Sequence, residues 1–221
     1  MLSIKKISAL ALTLAATSVF AGPVVSYTSF GSLPAANFGG SGIPNDAVAI
    51  TALTGVTLGL TATQRFAQPA VTNNGAGRYR AVNGAFAAGD NLARWNFDFY
   101  AGGDRLTSYT YRLFGDFSAA VGDADSTYRD ISGYLFAPDS RLTVGTIQNS
   151  GNLGFGTGFA QFDPNVAGQY GFILKAFDRA GAEVGRSAIL VDVGAVPEPA
   201  SLALVGIALL GMAGSRRRSR R

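Results

Sequence analysis

Between residues 46 and 195 the chain is a succession of short β-forming runs cut by glycine and turn residues, and no stretch sustains the 3.6-residue periodicity of a long helix. Alternation is plainest at Trp95, Phe97 and Phe99, with Asn96 and Asp98 facing the other way. Residues 106–114 form a second run rich in β-formers, bounded by Gly102-Gly103-Asp104 and Gly115-Asp116. The spacing predicts that these two runs join through residues 101–105 as a hairpin. Further strands are predicted at 48–54, 56–63, 78–86, 133–136, 142–147, 168–178 and 186–193. Roughly eight to ten short strands with turn signals between them predict an all-β fold, an antiparallel β-sandwich of immunoglobulin-like or jelly-roll-like form.

The last two strands are the best defined. Asp163, Gly168 and Tyr170 open the penultimate one in a pattern similar to the tyrosine corner of immunoglobulin-like domains, with looser spacing. Asp178-Arg179-Ala180-Gly181-Ala182 then turns the chain back. Residues 30–42, 73–77 and 149–158 read as loops. The last is glycine-rich, but it lacks the lysine of a phosphate-binding loop and opens no helix.

The two ends have a different character and are addresses rather than fold. Lys5 and Lys6 precede an apolar stretch from Ile7 to Ala16, and Val19-Phe20-Ala21 puts small residues where a signal peptidase reads. Residues 1–21 are therefore a signal peptide, cleaved between Ala21 and Gly22. The apolar stretch falls short of the roughly 20 residues that a permanent span needs. Residues 22–45 form an extended lead-in, and 46–195 the β-sandwich domain.

The tail, 196–221, divides into a motif at 196–199, an apolar helix at 200–214 and a basic cluster at 215–221. Pro197 and Pro199 forbid regular helix or central strand, so Val196-Pro197-Glu198-Pro199 is an extended, accessible tether. Residues 200–214 hold one polar side chain, Ser201, and span about 22 Å as a helix. The hydrocarbon core is about 30 Å thick. Gly206, Gly211 and Gly214 weaken the helix further. Arg216, Arg217, Arg218, Arg220 and Arg221 follow as a cytoplasmic stop. A short, poor span capped by positive charge suits a temporary membrane anchor that is later cut away.

Val196-Pro197-Glu198-Pro199-Ala200-Ser201-Leu202-Ala203-Leu204, with Gly206, Leu209-Leu210-Gly211 and Arg216-Arg217-Arg218, resembles the PEP-CTERM sorting signal. The resemblance covers about 26 residues of the 221. It implies recognition at Pro197, Glu198 and Pro199 by an exosortase, a membrane cysteine protease of Gram-negative bacteria. It also implies delivery to the cell surface or to an exopolysaccharide matrix. The expected processing partners are signal peptidase and exosortase, with exopolysaccharide as a possible neighbour after sorting.

The whole-chain charge of +4 and isoelectric point near 9.6 come from these ends. Residues 22–197 hold 11 basic and 13 acidic side chains, a net of −2, which removes the main support for nucleic-acid binding. The chain has no cysteine and no histidine. Disulfides, thiolate and imidazole metal sites, and nucleophilic triads built on histidine or cysteine are thereby excluded. A non-enzymatic protein without cofactor is expected.

Three candidate chemistries remain. Asp123, Asp125 and Asp130 are weak calcium candidates, because the central glycine and terminal glutamate of an EF-hand loop are missing and Arg129 opposes them. A carboxylate-based hydrolase lacks any local motif. Tyr100, Tyr109, Tyr111 and Tyr128 are side chains of the kind that stack on sugars. Trp95 is placed in the core, and Tyr100 on the opposite, exposed face. The reading is an exported surface or matrix protein with a structural or adhesive role. The alternatives are a carbohydrate- or calcium-binding module and a carboxylate hydrolase.

Overall fold

The computed structural model describes residues 25–66, 69–119, 128–136, 145–155 and 162–194. The expected signal peptide with its Ala21–Gly22 junction, Asp123, Asp125, the start of the predicted strand at 142–147 and the whole sorting tail lie outside the described residues, as do the two predicted flanking helices.

The described chain is all β. Its strands are β1 Ser29–Gly31, β2 Val48–Leu53, β3 Val56–Gln64, β4 Thr72–Asn73, β5 Arg78–Ala81, β6 Trp95–Gly102, β7 Thr110–Asp116, β8 Tyr128–Asp130, β9 Thr146–Gly151, β10 Gly168–Phe177 and β11 Glu183–Val193. They form a five-stranded sheet in the order β1-β2-β3-β6-β9 and a six-stranded sheet in the order β4-β5-β11-β10-β7-β8. Every pairing is antiparallel except β5 with β11.

Alternation along each strand delivers one apolar face to a shared core. From the five-stranded sheet come Leu58, Leu60, Trp95, Phe97 and Phe99; from the six-stranded sheet, Tyr79, Leu113, Tyr170, Phe172, Leu174, Ile189 and Val191. Across the interface Phe97 stacks on Phe172 with centroids 4.5 Å apart, and Trp95 meets Phe172 edge-on at 6.1 Å. Two sheets closing on one core is how a chain without disulfides gains its stability.

The β10–β11 hairpin is as the sequence predicts. The Asp178 carboxylate accepts from the Ala180 and Ala182 amides, both at 2.9 Å, and Gly181 takes φ 81° to close the turn. The tyrosine corner is present too: the Tyr170 hydroxyl donates to the Val166 carbonyl at 3.1 Å, while Asp163 caps the Asn165 amide.

The predicted hairpin between 95–99 and 106–114 does not form. Both edges of β6 are taken, by β3 on one side and β9 on the other, and β7 lies in the opposite sheet between β10 and β8. The connection arches from one sheet to the other through a 3-10 turn at Leu106–Ser108. Gly103 makes this possible, since a Cβ there would stand 2.3 Å from the Gly55 carbonyl oxygen. Three other local expectations change. Ser132–Phe136 is a 3-10 turn rather than a strand, the strand from Arg78 stops at Ala81, and Asn149–Gly151 belong to β9 rather than to a loop.

The lead-in does more than connect. Ser26 bridges to Ala188 of β11, and three residues later β1 joins β2 in the other sheet, so this segment ties the two sheets together. It then folds over the outer face of the five-stranded sheet. Leu33, Ala36 and Phe38 pack there on Val48 and Tyr100, and the Asn37 and Phe38 amides both donate to Gln148 Oε1 at 2.9 Å. Tyr100 therefore lies opposite Trp95, as expected, but is only 5% exposed.

Candidate functional site

Among the described residues, two buried side chains carry a polar atom without a hydrogen-bond partner. The first is Asp98 on β6, which is 0% exposed. Its Oδ2 accepts from the Thr63 hydroxyl at 2.7 Å, while Oδ1 has no hydrogen-bond partner. Burial raises its pKa to about 7, and the Ser150 and Thr63 hydroxyls offset only part of that rise. A neutral carboxyl suits this position because a buried carboxylate with one bare oxygen is costly. The sign of the linkage follows: the folded pKa lies above the unfolded value near 3.8, so the contribution of Asp98 is fully present below about pH 4. It declines as pH rises toward 7 and is flat above. Melting of the wild type and of Asp98→Asn across pH 4 to 8 is expected to show the wild-type advantage shrinking over that window. A constant difference would contradict it.

The second group is Arg65, immediately after β3. Its Nε is buried without a hydrogen-bond partner. Burial lowers the guanidinium pKa, and nearby Asp90 partly restores it. The guanidinium carbon lies 4.9, 5.3 and 5.0 Å from the ring centroids of Phe66, Phe86 and Phe155. Phe66 holds φ 56° and is 72% exposed. A left-handed backbone at a bulky residue costs energy and marks a position to be explained. Asn152 sets Phe155 in place: its Oδ1 accepts from the Ala93 and Gly154 amides, and its Nδ2 donates to the Ala93 and Trp95 carbonyls. Sequence reading singles out none of these side chains, because three separate segments bring them together.

At the other functional end of the chain, β11 stops at Val193 and the Gly194 amide donates to the Ala81 carbonyl at 2.8 Å. β11 lies between β5 and β10 inside the six-stranded sheet, and in sequence one residue stands between Gly194 and Val196. The family model described as the PEP-CTERM protein-sorting motif matches residues 195–218. The chain carries a PEP-CTERM sorting motif. No curated protein and no solved structure matches the chain. The PEP-CTERM motif implies an exported chain that an exosortase processes toward the cell surface. Val196, Pro197, Glu198, Pro199 and the arginines from Arg216 to Arg221 lie outside the described residues. Among the described residues no helix is long and apolar enough to cross a membrane.

The remaining candidates are distributed as follows. Asp130 ends β8 and caps the Ser132 amide at 2.8 Å, and its companions Asp123 and Asp125 are outside the described residues. Among the described residues no group of three or more carboxylates is placed to hold a metal ion. Of the four tyrosines considered for sugar stacking, Tyr100 and Tyr111 are buried, and Tyr109 and Tyr128 are partly buried, so no exposed row of tyrosines forms on either sheet.

Proposed function

We propose that this protein is a non-enzymatic structural or adhesive component of the cell surface or extracellular polysaccharide matrix. The signal peptide 1–21 takes it across the cytoplasmic membrane, and the run at 200–214 holds it there until exosortase acts at Pro197, Glu198 and Pro199. The observation that carries the reading is the sorting motif placed directly after the last strand, so that recognition and body adjoin without a spacer domain. The absence of cysteine and histidine from the whole sequence supports a role without catalysis. A disulfide-free sandwich with a single large core suits a component that must keep its shape once outside the cell.

Fractionation of cells tests this reading. The mature protein is expected in the matrix fraction and is expected to be released when the polysaccharide is stripped. Recovery of the mature form in the periplasm or the inner membrane would overturn the proposal.

A further inference from the structure

Arg65 and Arg94 are direct cross-strand neighbours, since the Arg65 amide donates to the Arg94 carbonyl at 2.9 Å just beyond the β3–β6 ladder. Like charges placed opposite each other are unfavourable unless something neutralises them. No ion pair does so among the described residues, where the pairs involve Arg78, Lys175 and Arg186. The nearby carboxylate of Asp90 is committed to the Ala87 and Leu92 amides. Arg94 spends its Nε on the Ala85 carbonyl. Around Arg65 stand Phe66, Phe86 and Phe155, half of the six large apolar side chains exposed among the described residues. An exposed aromatic cluster beside two guanidiniums that form no ion pair, with Asp90 offsetting part of their charge, is suited to an anionic surface with an apolar layer beneath it.

The place of this cluster says which surface. Gly194, from which the tail leaves, packs beside Asn83, whose Cγ would stand 3.3 Å from a Cβ on Gly194. The next amide, Gly84, donates to the Pro164 carbonyl, and Ala85 receives Arg94. Phe86 follows, with its ring 5.2 Å from that of Phe66. The cluster and the tail exit are therefore at the same end of the sandwich. Five residues, 195–199, separate Gly194 from the apolar run. Fully extended they reach no more than about 18 Å.

We propose that Phe66, Phe86, Phe155, Arg65 and Arg94 form a membrane-docking face that lies on an anionic bilayer while the tail is inserted. This rests on the reading of residues 200–214 as a temporary anchor. The phenyl rings enter the boundary between headgroups and acyl chains, and the guanidiniums meet lipid phosphates. The short leash makes the contact effectively intramolecular, so a weak intrinsic affinity suffices. Docking would hold the body in one orientation and keep 196–199 at the membrane surface, where a membrane protease works. An acidic polysaccharide is the competing occupant, and it offers the guanidiniums anions but gives three phenyl rings no apolar layer to enter.

The test uses the full chain carrying Phe66→Trp, reconstituted in phosphatidylglycerol–phosphatidylcholine vesicles with brominated acyl chains. The unsubstituted chain gives the background from buried Trp95. Quenching of the new tryptophan is expected to exceed that background several-fold. It is expected to fall to background when Arg65→Gln and Arg94→Gln are added and in vesicles of phosphatidylcholine alone. A chain that co-sediments with vesicles but shows no extra quenching overturns the docking face and leaves the anchor reading intact. An emission change with soluble alginate and none with lipid assigns the cluster to polysaccharide and also overturns it. A chain that does not co-sediment removes the anchor reading and the docking face together.

Discussion

Replacing Pro197, Glu198 and Pro199 together with alanine is expected to leave the chain in the cell membrane with its tail uncut. Two effects act in the same direction. The substitution removes the side chains that the sorting motif presents. It also changes the backbone, because two prolines keep the segment extended and alanine is the best helix former. The helix expected of the apolar run can then grow back toward Gly194 and draw the processing site out of reach. Processed protein is expected to fall from most of the population to a trace, read by fractionation and intact mass. Normal processing of the triple variant would remove the sorting account, whatever the fold of the body.

The second large effect is on stability. Phe172 is fully buried between Phe97 and Trp95 at the centre of the interface between sheets. Phe172→Ala removes a stacked ring and leaves a cavity that neighbours on two sheets cannot easily close, at a cost of about 3–5 kcal/mol. For a domain of this size that corresponds to a fall in Tm of roughly 6–20 °C. No disulfide holds the sheets together when the packing fails. Val166→Ala, at an exposed position close to the tyrosine corner, is expected to change stability by no more than about 0.5 kcal/mol. Thermal and urea unfolding of the two variants measure the contrast. A loss below about 1 kcal/mol for Phe172→Ala would mean that the two sheets do not share the core described.

How much of this was legible depended on how local each signal was. The sorting motif is a linear signal, complete in 24 matched residues, and needs no fold to be recognised. The β10–β11 hairpin was legible because Asp178 and Gly181 specify its turn from within the turn itself. The alternation of Trp95, Phe97 and Phe99 correctly gave the buried face. What followed β6 was not legible. Whether a strand turns back on itself depends on which of its edges are free, and β6 has both occupied by partners distant in sequence. Tyr100 illustrates the same limit, since its cover comes from Leu33, Ala36 and Phe38, more than 60 residues away in the chain. The cluster round Arg65 had no sequence signature at all. Phe66, Phe86 and Phe155 are single aromatics in three irregular segments, and only the closure of β3, β6 and the turn after β9 makes them neighbours.

The sandwich and the tail are linked by position. The last strand ends at Val193 and the motif match begins at residue 195, so Gly194 alone separates them in sequence. The intact mass of the mature protein recovered from the cell surface tests this account most directly. The account predicts a chain that begins at Gly22 and lacks the apolar run and the arginines from Arg216 to Arg221. A surface-located chain whose mass includes that tail would contradict it.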